Sequence, residues 1–209
     1  MVKVDRRFER GISTRERILD AAIDVIARGG ASAATQRVVA EAAGVSLASV
    51  TYHFASAKEL IVSAMRRAAG IAVTHLAAMD EEIISGRLSL EDATVQYIDA
   101  HRTGEFAAGI VALELSMAAV RDPDLRASDE DNIEALRANY APLVSAPGHD
   151  EAAAAAFTGL LLLELGSTRE PNSEETRRRV RALLDLFDLE AGVERERRRR
   201  AAAPDIRGS

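Results

Sequence analysis

Three observations predict an all-α fold. Apolar residues recur at helical spacing along nearly the whole chain, as Ile18, Ala22, Val25 and Ile26 do. Capping residues and breakers punctuate these runs at intervals: Ser13 with Glu16, Ser56 with Glu59, Gly29-Gly30, Gly104 and Asp122-Pro123. No stretch alternates convincingly as a strand.

Taken in order, the first helix opens on the Ser13/Glu16 capping box and stops at Gly29-Gly30. Residues 35–54 read as two short helices around a tight turn. Thr35 caps the first, whose apolar face is Val38, Val39, Ala42 and Ala43, and Gly44 supplies the left-handed residue at which it ends. Val45 tucks into the core, and Ser46 caps a second helix running from Leu47 to His53. The Ser56/Glu59 box then opens a long helix carrying Leu60, Ala64, Ile71, His75, Met79 and Ile83 towards Gly86. Five more helices are expected at about 89–102, 105–120, 123–140, 149–167 and 173–190, nine in all. From Glu194 a five-arginine cluster leads into AAAPDIRGS. This tail reads as a frayed helix end and disordered terminus, with phosphate contact as the alternative. The predicted division is a head at 1–56, a body at 57–193 and a tail at 194–209.

Composition narrows the function classes. Of 209 residues, 47% are hydrophobic but only 4% aromatic, so Ala, Leu, Val and Ile must fill the core. The absence of cysteine excludes disulfides and thiolate chemistry and fits a reducing cytoplasm. No apolar run approaches 18 residues, and the charged start MVKVDRRFER does not resemble a signal peptide, so a cytoplasmic chain without membrane attachment is expected. The net charge of −6 is unevenly spread: residues 1–60 hold nine Lys/Arg against seven Asp/Glu, whereas residues 61–170 hold eight against eighteen. A weakly basic head on an acidic body permits docking of one end on a polyanion.

Two short helices joined by a Gly-containing turn form a helix-turn-helix, whose second helix fits the DNA major groove. The likeness extends further. Residues 13–61, STRERILDAAIDVIARGGASAATQRVVAEAAGVSLASVTYHFASAKELI, combine a TRERILDAA start, a VAEAAGVS turn and a YHF end in order. They resemble the N-terminal DNA-binding domain of TetR/AcrR-family transcriptional repressors. The resemblance implies a nine-helix homodimer with three head helices and six body helices. Three positions depart from the family pattern: Thr51 where a tyrosine is common, Ala57 where a lysine usually opens the fourth helix, and no aromatic after Gly29-Gly30.

Helix N-termini present unpaired N–H groups to phosphates. Thr35, Gln36 and Arg37 are therefore expected to meet the DNA backbone, with Ser46 capping the recognition helix and Tyr52, His53 and Lys58 clamping phosphates beyond it. Leu47, Ala48, Ser49 and Thr51 are the candidates for base readout; being short or apolar, they suit thymine methyls and base edges. His53 and Arg37 read also as ordinary solvated side chains.

One head cannot match two half-sites about 34 Å apart, so a two-fold dimer is expected. The resemblance implies that the last two helices pair across it, with Phe157, Leu160, Leu161, Val180, Leu184 and Phe187 as candidates. The same residues read equally as an ordinary buried core. Candidate effector-binding residues are Met65, His75, Met79, Tyr97, His101, Phe106, Ile110, Leu113, Glu114 and Met117, which again could be core. The predicted function is a regulator, most simply a repressor, that binds a palindromic duplex operator and is released by a small-molecule effector. A helix-turn-helix activator without induction, or a helical enzyme or ligand carrier, is the alternative. The four scattered histidines, with no phosphate loop or metal-ligand pair, argue against an enzyme, a metal site or a cofactor.

Overall fold

The structure, a computed structural model, describes residues 6–202, with side chains from residue 14 onward. The chain's start at residues 1–5 and the end of the expected tail at 203–209 lie outside the described residues. Among the described residues there are ten α-helices and no strand. They are α1 (Arg6–Gly29), α2 (Gln36–Ala43), α3 (Leu47–His53), α4 (Ala57–Ile84), α5 (Leu90–Thr103), α6 (Ala107–Ala119), α7 (Arg126–Tyr140), α8 (His149–Leu165), α9 (Glu174–Leu186) and α10 (Leu189–Ala202). The tenth, one more than the nine expected, comes from the C-terminal end. The chain turns at Phe187 and at Asp188, which has φ 52°, and then continues as helix through the arginine cluster that had read as a frayed tail.

Local chemistry accounts for most of the boundaries. The Thr35 hydroxyl accepts the Val38 N–H at 3.2 Å, the Ser46 hydroxyl accepts that of Ser49 at 3.1 Å, and Gly44 adopts φ 62° at the end of α2. At α4 the Ser56 hydroxyl accepts the Glu59 N–H at 3.1 Å, while the Glu59 carboxylate reaches back to the N–H of Ala55 at 2.8 Å. That is a capping box displaced by one residue at its return bond. The first helix, by contrast, does not open at the Ser13/Glu16 box, because α1 already begins at Arg6.

The chain forms two compact units. The first takes residues up to Ala72 together with Phe106–Glu130, and the second takes Val73–Glu105 and residues from Asp131 on. The first unit is built on a core of Ile18, Ala22, Ile26, Val39, Val50, Phe54, Leu60, Ala64 and Met65, extended by Val111, Leu115 and Leu125. It thus includes α6 and the 3-10 turn at Pro123–Leu125 as well as the head helices.

In the second unit, the fully buried Glu164 of α8 accepts from Thr176 Oγ1 (3.0 Å), Arg179 Nη1 (2.8 Å) and Arg169 Nη2 (3.0 Å). Burial opposes its charge, but these three donors hold its carboxyl below the usual range. The arginines of α10 are engaged in the same way. Arg197 donates to the carbonyls of Ile83 (2.7 Å) and Ile84 (3.0 Å) at the end of α4, and Arg200 pairs with Asp80 (2.8 Å) and Glu81 (2.7 Å). These contacts hold α10 in place, which explains why the cluster is not a frayed end. α10 can lie this close because residue 192 is glycine: a Cβ there would sit 1.9 Å from the Leu143 carbonyl oxygen.

Although it contains no unbroken apolar run, α4 is by length and composition long and apolar enough to cross a membrane. Its apolar residues Leu60, Ala64, Met65, Ala68 and Ala69, however, belong to the first unit's core. The length of α4 and the alanine-rich composition of its sequence satisfy that test without any lipid-facing surface being required.

Candidate nucleic-acid interface and aromatic cluster

In the head, burial separates the packing residues from those left available. Val50 and Phe54 are completely buried, closing α3 onto α1 and α2. Leu47, Ala48, Thr51 and Tyr52 are exposed on the other side of the same short helix, and Tyr52 is 85% exposed. A tyrosine left so bare has no role in packing. Its ring stands T-shaped to that of His53, at 5.1 Å between centroids. Ser49 and His53 are half-buried, and Thr51 donates its hydroxyl proton to the Ala48 carbonyl at 3.1 Å, keeping its methyl and oxygen lone pairs outward. Thr35, Arg37, Ser46 and Lys58 are exposed around this face.

Two of the expected backbone contacts already have internal partners. Gln36 donates its side-chain amide to the Phe54 carbonyl at 2.8 Å, tying the start of α2 to the end of α3. Lys58 lies 3.0 Å from Asp122 and 3.1 Å from Asp124, carboxylates on the connection after α6. Neither pairing was visible in the sequence. The Lys58 partners stand more than sixty positions away, and nothing about Asp122-Pro123-Asp124 except its turn chemistry marks it.

The ten candidate effector residues divide between the units. Met65, Phe106, Ile110, Leu113, Glu114 and Met117 are in the first unit: Met65 is buried in its core, Phe106 packs against that core, and Met117 is exposed. Burial raises the Glu114 carboxyl above its ordinary range, and a hydrogen bond from the Ala31 backbone opposes this. His75, Met79, Tyr97 and His101 are in the second unit. There Tyr97 stands between two imidazoles, with His75 stacked at 6.1 Å and His101 tilted at 4.4 Å between ring centroids. His101 Nδ1 lies 2.7 Å from the Tyr97 carbonyl oxygen, which only accepts, so Nδ1 carries the proton. Burial lowers the pKa of both histidines and pushes the Tyr97 phenol up to about 12. Tyr140, not among the candidates, is a further half-buried phenol of this unit, stacked on Phe157 at 5.3 Å. With only three tyrosines and five phenylalanines in the chain, its rarity was the one available signal. Among the described residues no group of three or more His, Cys, Asp or Glu side chains is placed to hold a metal ion.

The profile of the bacterial regulatory proteins of the tetR family matches residues 18–65, which span α2, α3, the turn between them and the flanking parts of α1 and α4. That segment of the chain is therefore similar to the DNA-binding head of the TetR family. No curated protein matches the chain. Among solved structures, a TetR-family member from Streptomyces coelicolor A3 is 29% identical, with a TM-score of 0.63 over 81% of this chain and 97% of its own. The multidrug binding protein EbrR complexed with imidazole is 29% identical, with a TM-score of 0.60 over 81% of this chain and 93% of that one. EbrR complexed with ethidium gives 29% and 0.62 over 81% and 98%. The all-α fold and the profile match over the head thus point to the same kind of protein.

Of the two readings of the apolar residues on the last helices, the structure places these side chains in the chain's own interior. Phe157, Leu160, Leu161, Val180 and Leu184 are buried within the chain itself, and Phe187 is half-buried against His149, with centroids 5.9 Å apart. The apolar residues left in solvent are Leu162 (55% exposed) and Leu163 (71%) on α8 and Leu186 (68%) on α9. Periodicity alone identified apolar helices but could not say which of two apolar sides faces inward, because α8 carries four consecutive leucines.

Proposed function

We propose that this protein is a ligand-responsive DNA-binding repressor of the TetR family that holds a palindromic operator as a homodimer and releases it on binding a small molecule. The observation that carries the reading is the outward row Leu47, Ala48, Thr51 and Tyr52 on a helix whose opposite side is locked into the head core. Such a row reads base edges while Thr35, Arg37, His53 and Lys58 position the head on phosphates. Tyr52, with its exposed hydroxyl, serves the phosphate beside the last turn of α3. Gln36 is assigned the support of this arrangement through its bond to Phe54.

The two-fold pairing is proposed on the exposed side of α8 and α9, through Leu162, Leu163 and Leu186. Leucines this exposed in a chain whose other leucines are mostly buried favour association. The effector site is proposed at His75, Tyr97 and His101. The three rings of His75, Tyr97 and His101, two of them imidazoles whose protonation burial disfavours, suit an aromatic molecule, and their faces suit a cationic one. The complexes of EbrR with imidazole, ethidium, proflavin and malachite green support that class. Residues 1–56 are the DNA-binding part in this reading, and α4, whose residues fall in both units, is the covalent link to the rest. The effector shifts the equilibrium only by binding the DNA-released conformer better.

Selection from a random duplex library tests the reading. The wild-type protein is expected to enrich a palindrome, with Thr51→Ala and Tyr52→Ala weakening it. Malachite green, read by its fluorescence on binding, is expected to bind the wild type and not Tyr97→Ala. Absence of enrichment at low salt removes the DNA-reading function.

A further inference from the structure

Lys58 opens α4 beside the DNA-reading face, yet its ammonium already has two anionic partners. Lys58 Nζ is 3.0 Å from Asp122 Oδ2 and 3.1 Å from Asp124 Oδ2. All three residues belong to the first unit. The acidic pair is held in place for this contact. Pro123 begins a 3-10 turn, and the other carboxylate oxygen of Asp122 accepts the Asp124 N–H at 3.1 Å, which aims Oδ2 at the lysine. Two helical turns further along α4, Arg66 grips the same connection, donating from Nε to Ser128 Oγ at 2.9 Å and from Nη2 to the Asp124 carbonyl at 3.2 Å. The turn therefore stays with α4 whether or not the lysine is engaged.

We infer that the Asp122–Asp124 turn is an internal competitor of DNA for Lys58, occupying the ammonium that a backbone phosphate would take and so setting the protein's affinity for its operator. Two carboxylate oxygens about 3 Å from one ammonium reproduce the contact that two non-bridging phosphate oxygens would make. Because the lysine side chain is 61% exposed, the pair is weak enough for a phosphate to displace. Any movement of the connection after α6 that presses the pair onto Lys58 lowers DNA affinity, and any movement that withdraws it raises affinity. The inference rests on the DNA-binding reading given above.

The test is a mutant cycle on the duplex selected by the wild-type protein, with Kd measured at fixed salt. Four proteins are compared: wild type, Asp122→Asn with Asp124→Asn, Lys58→Ala, and the combination of all three substitutions. Asparagine at 122 keeps the acceptor for the Asp124 N–H, so the turn survives, and thermal unfolding of each variant checks this. Neutralising the pair is expected to tighten binding by about three- to tenfold when Lys58 is present and to change it little when Lys58 is alanine. The same gain in both backgrounds means plain charge repulsion and overturns the competition, as does no gain with Lys58 present. Failure of all four proteins to bind any duplex at low salt overturns the DNA-binding reading along with it.

Discussion

Gly192 is a residue whose role only the folded chain reveals. In the sequence it sits inside AGVERERRRR, past the last helix expected there, but its missing Cβ is what lets α10 lie on the Leu143 backbone. Gly192→Ala is expected to cost about 1–3 kcal/mol, because the obstructing atoms are backbone and cannot rotate away. The midpoint of urea denaturation measures it. Thr35, Gly44 and Ser46, by contrast, were legible, since each acts on atoms within five positions of itself. The buried histidines give a pH signature. Burial lowers the pKa of His75 and His101 from the usual 6.5, so the folded state resists protonation more than the unfolded chain does. Their contribution is complete above about pH 6.5 and declines as the pH falls from there towards the lower folded-state values. Thermal unfolding at pH 7.5 and pH 5.5 is expected to show a loss that shrinks in His101→Phe; a loss unchanged by that substitution assigns it to other groups.

Elements bounded by their own capping residues were placed well, and elements bounded by distant partners were not. α2 and α3 end where Gly44 and Phe54 require, and the capping serines fix where α3 and α4 begin. α10 was missed because its stability comes from Asp80, Glu81 and the end of α4, more than a hundred positions away. The burial of Glu164 on α8 was not legible for the same reason: its partners Thr176, Arg169 and Arg179 come from beyond its own helix. At this scale the account predicts that Tyr52→Ala weakens operator binding by roughly tenfold, the value of one hydrogen bond to a charged acceptor, while leaving unfolding unchanged because the side chain packs against little. Ser46→Ala is expected to do the reverse in stability, costing about 1 kcal/mol through the lost cap. Comparing denaturation and DNA titration of the two variants separates reading from folding.

For the molecule as a whole, the all-α class and the head followed from helical spacing and the ordered motif at residues 13–61, and the profile match at 18–65 falls on the same segment. How the remaining helices group was not legible, because nothing local says that α6 joins the first unit or that the candidate effector residues separate into two sets. The dimer is the claim on which the function depends. Replacing both Leu162 and Leu163 by glutamate places two charges on the proposed interface without touching the chain's own core. Sedimentation is expected to show a monomer of about the chain's 22.4 kDa for that variant and twice that mass for the wild type.

Hydroxyl-radical footprinting of the wild-type protein on its selected duplex distinguishes a dimeric operator reader from a single head on DNA. The account predicts two symmetry-related protected patches centred about one helical turn, roughly 34 Å, or a small multiple of it apart, both lost together in the Leu162→Glu, Leu163→Glu variant. A single protected patch, or two that survive in the monomeric variant, would contradict a dimeric operator reader.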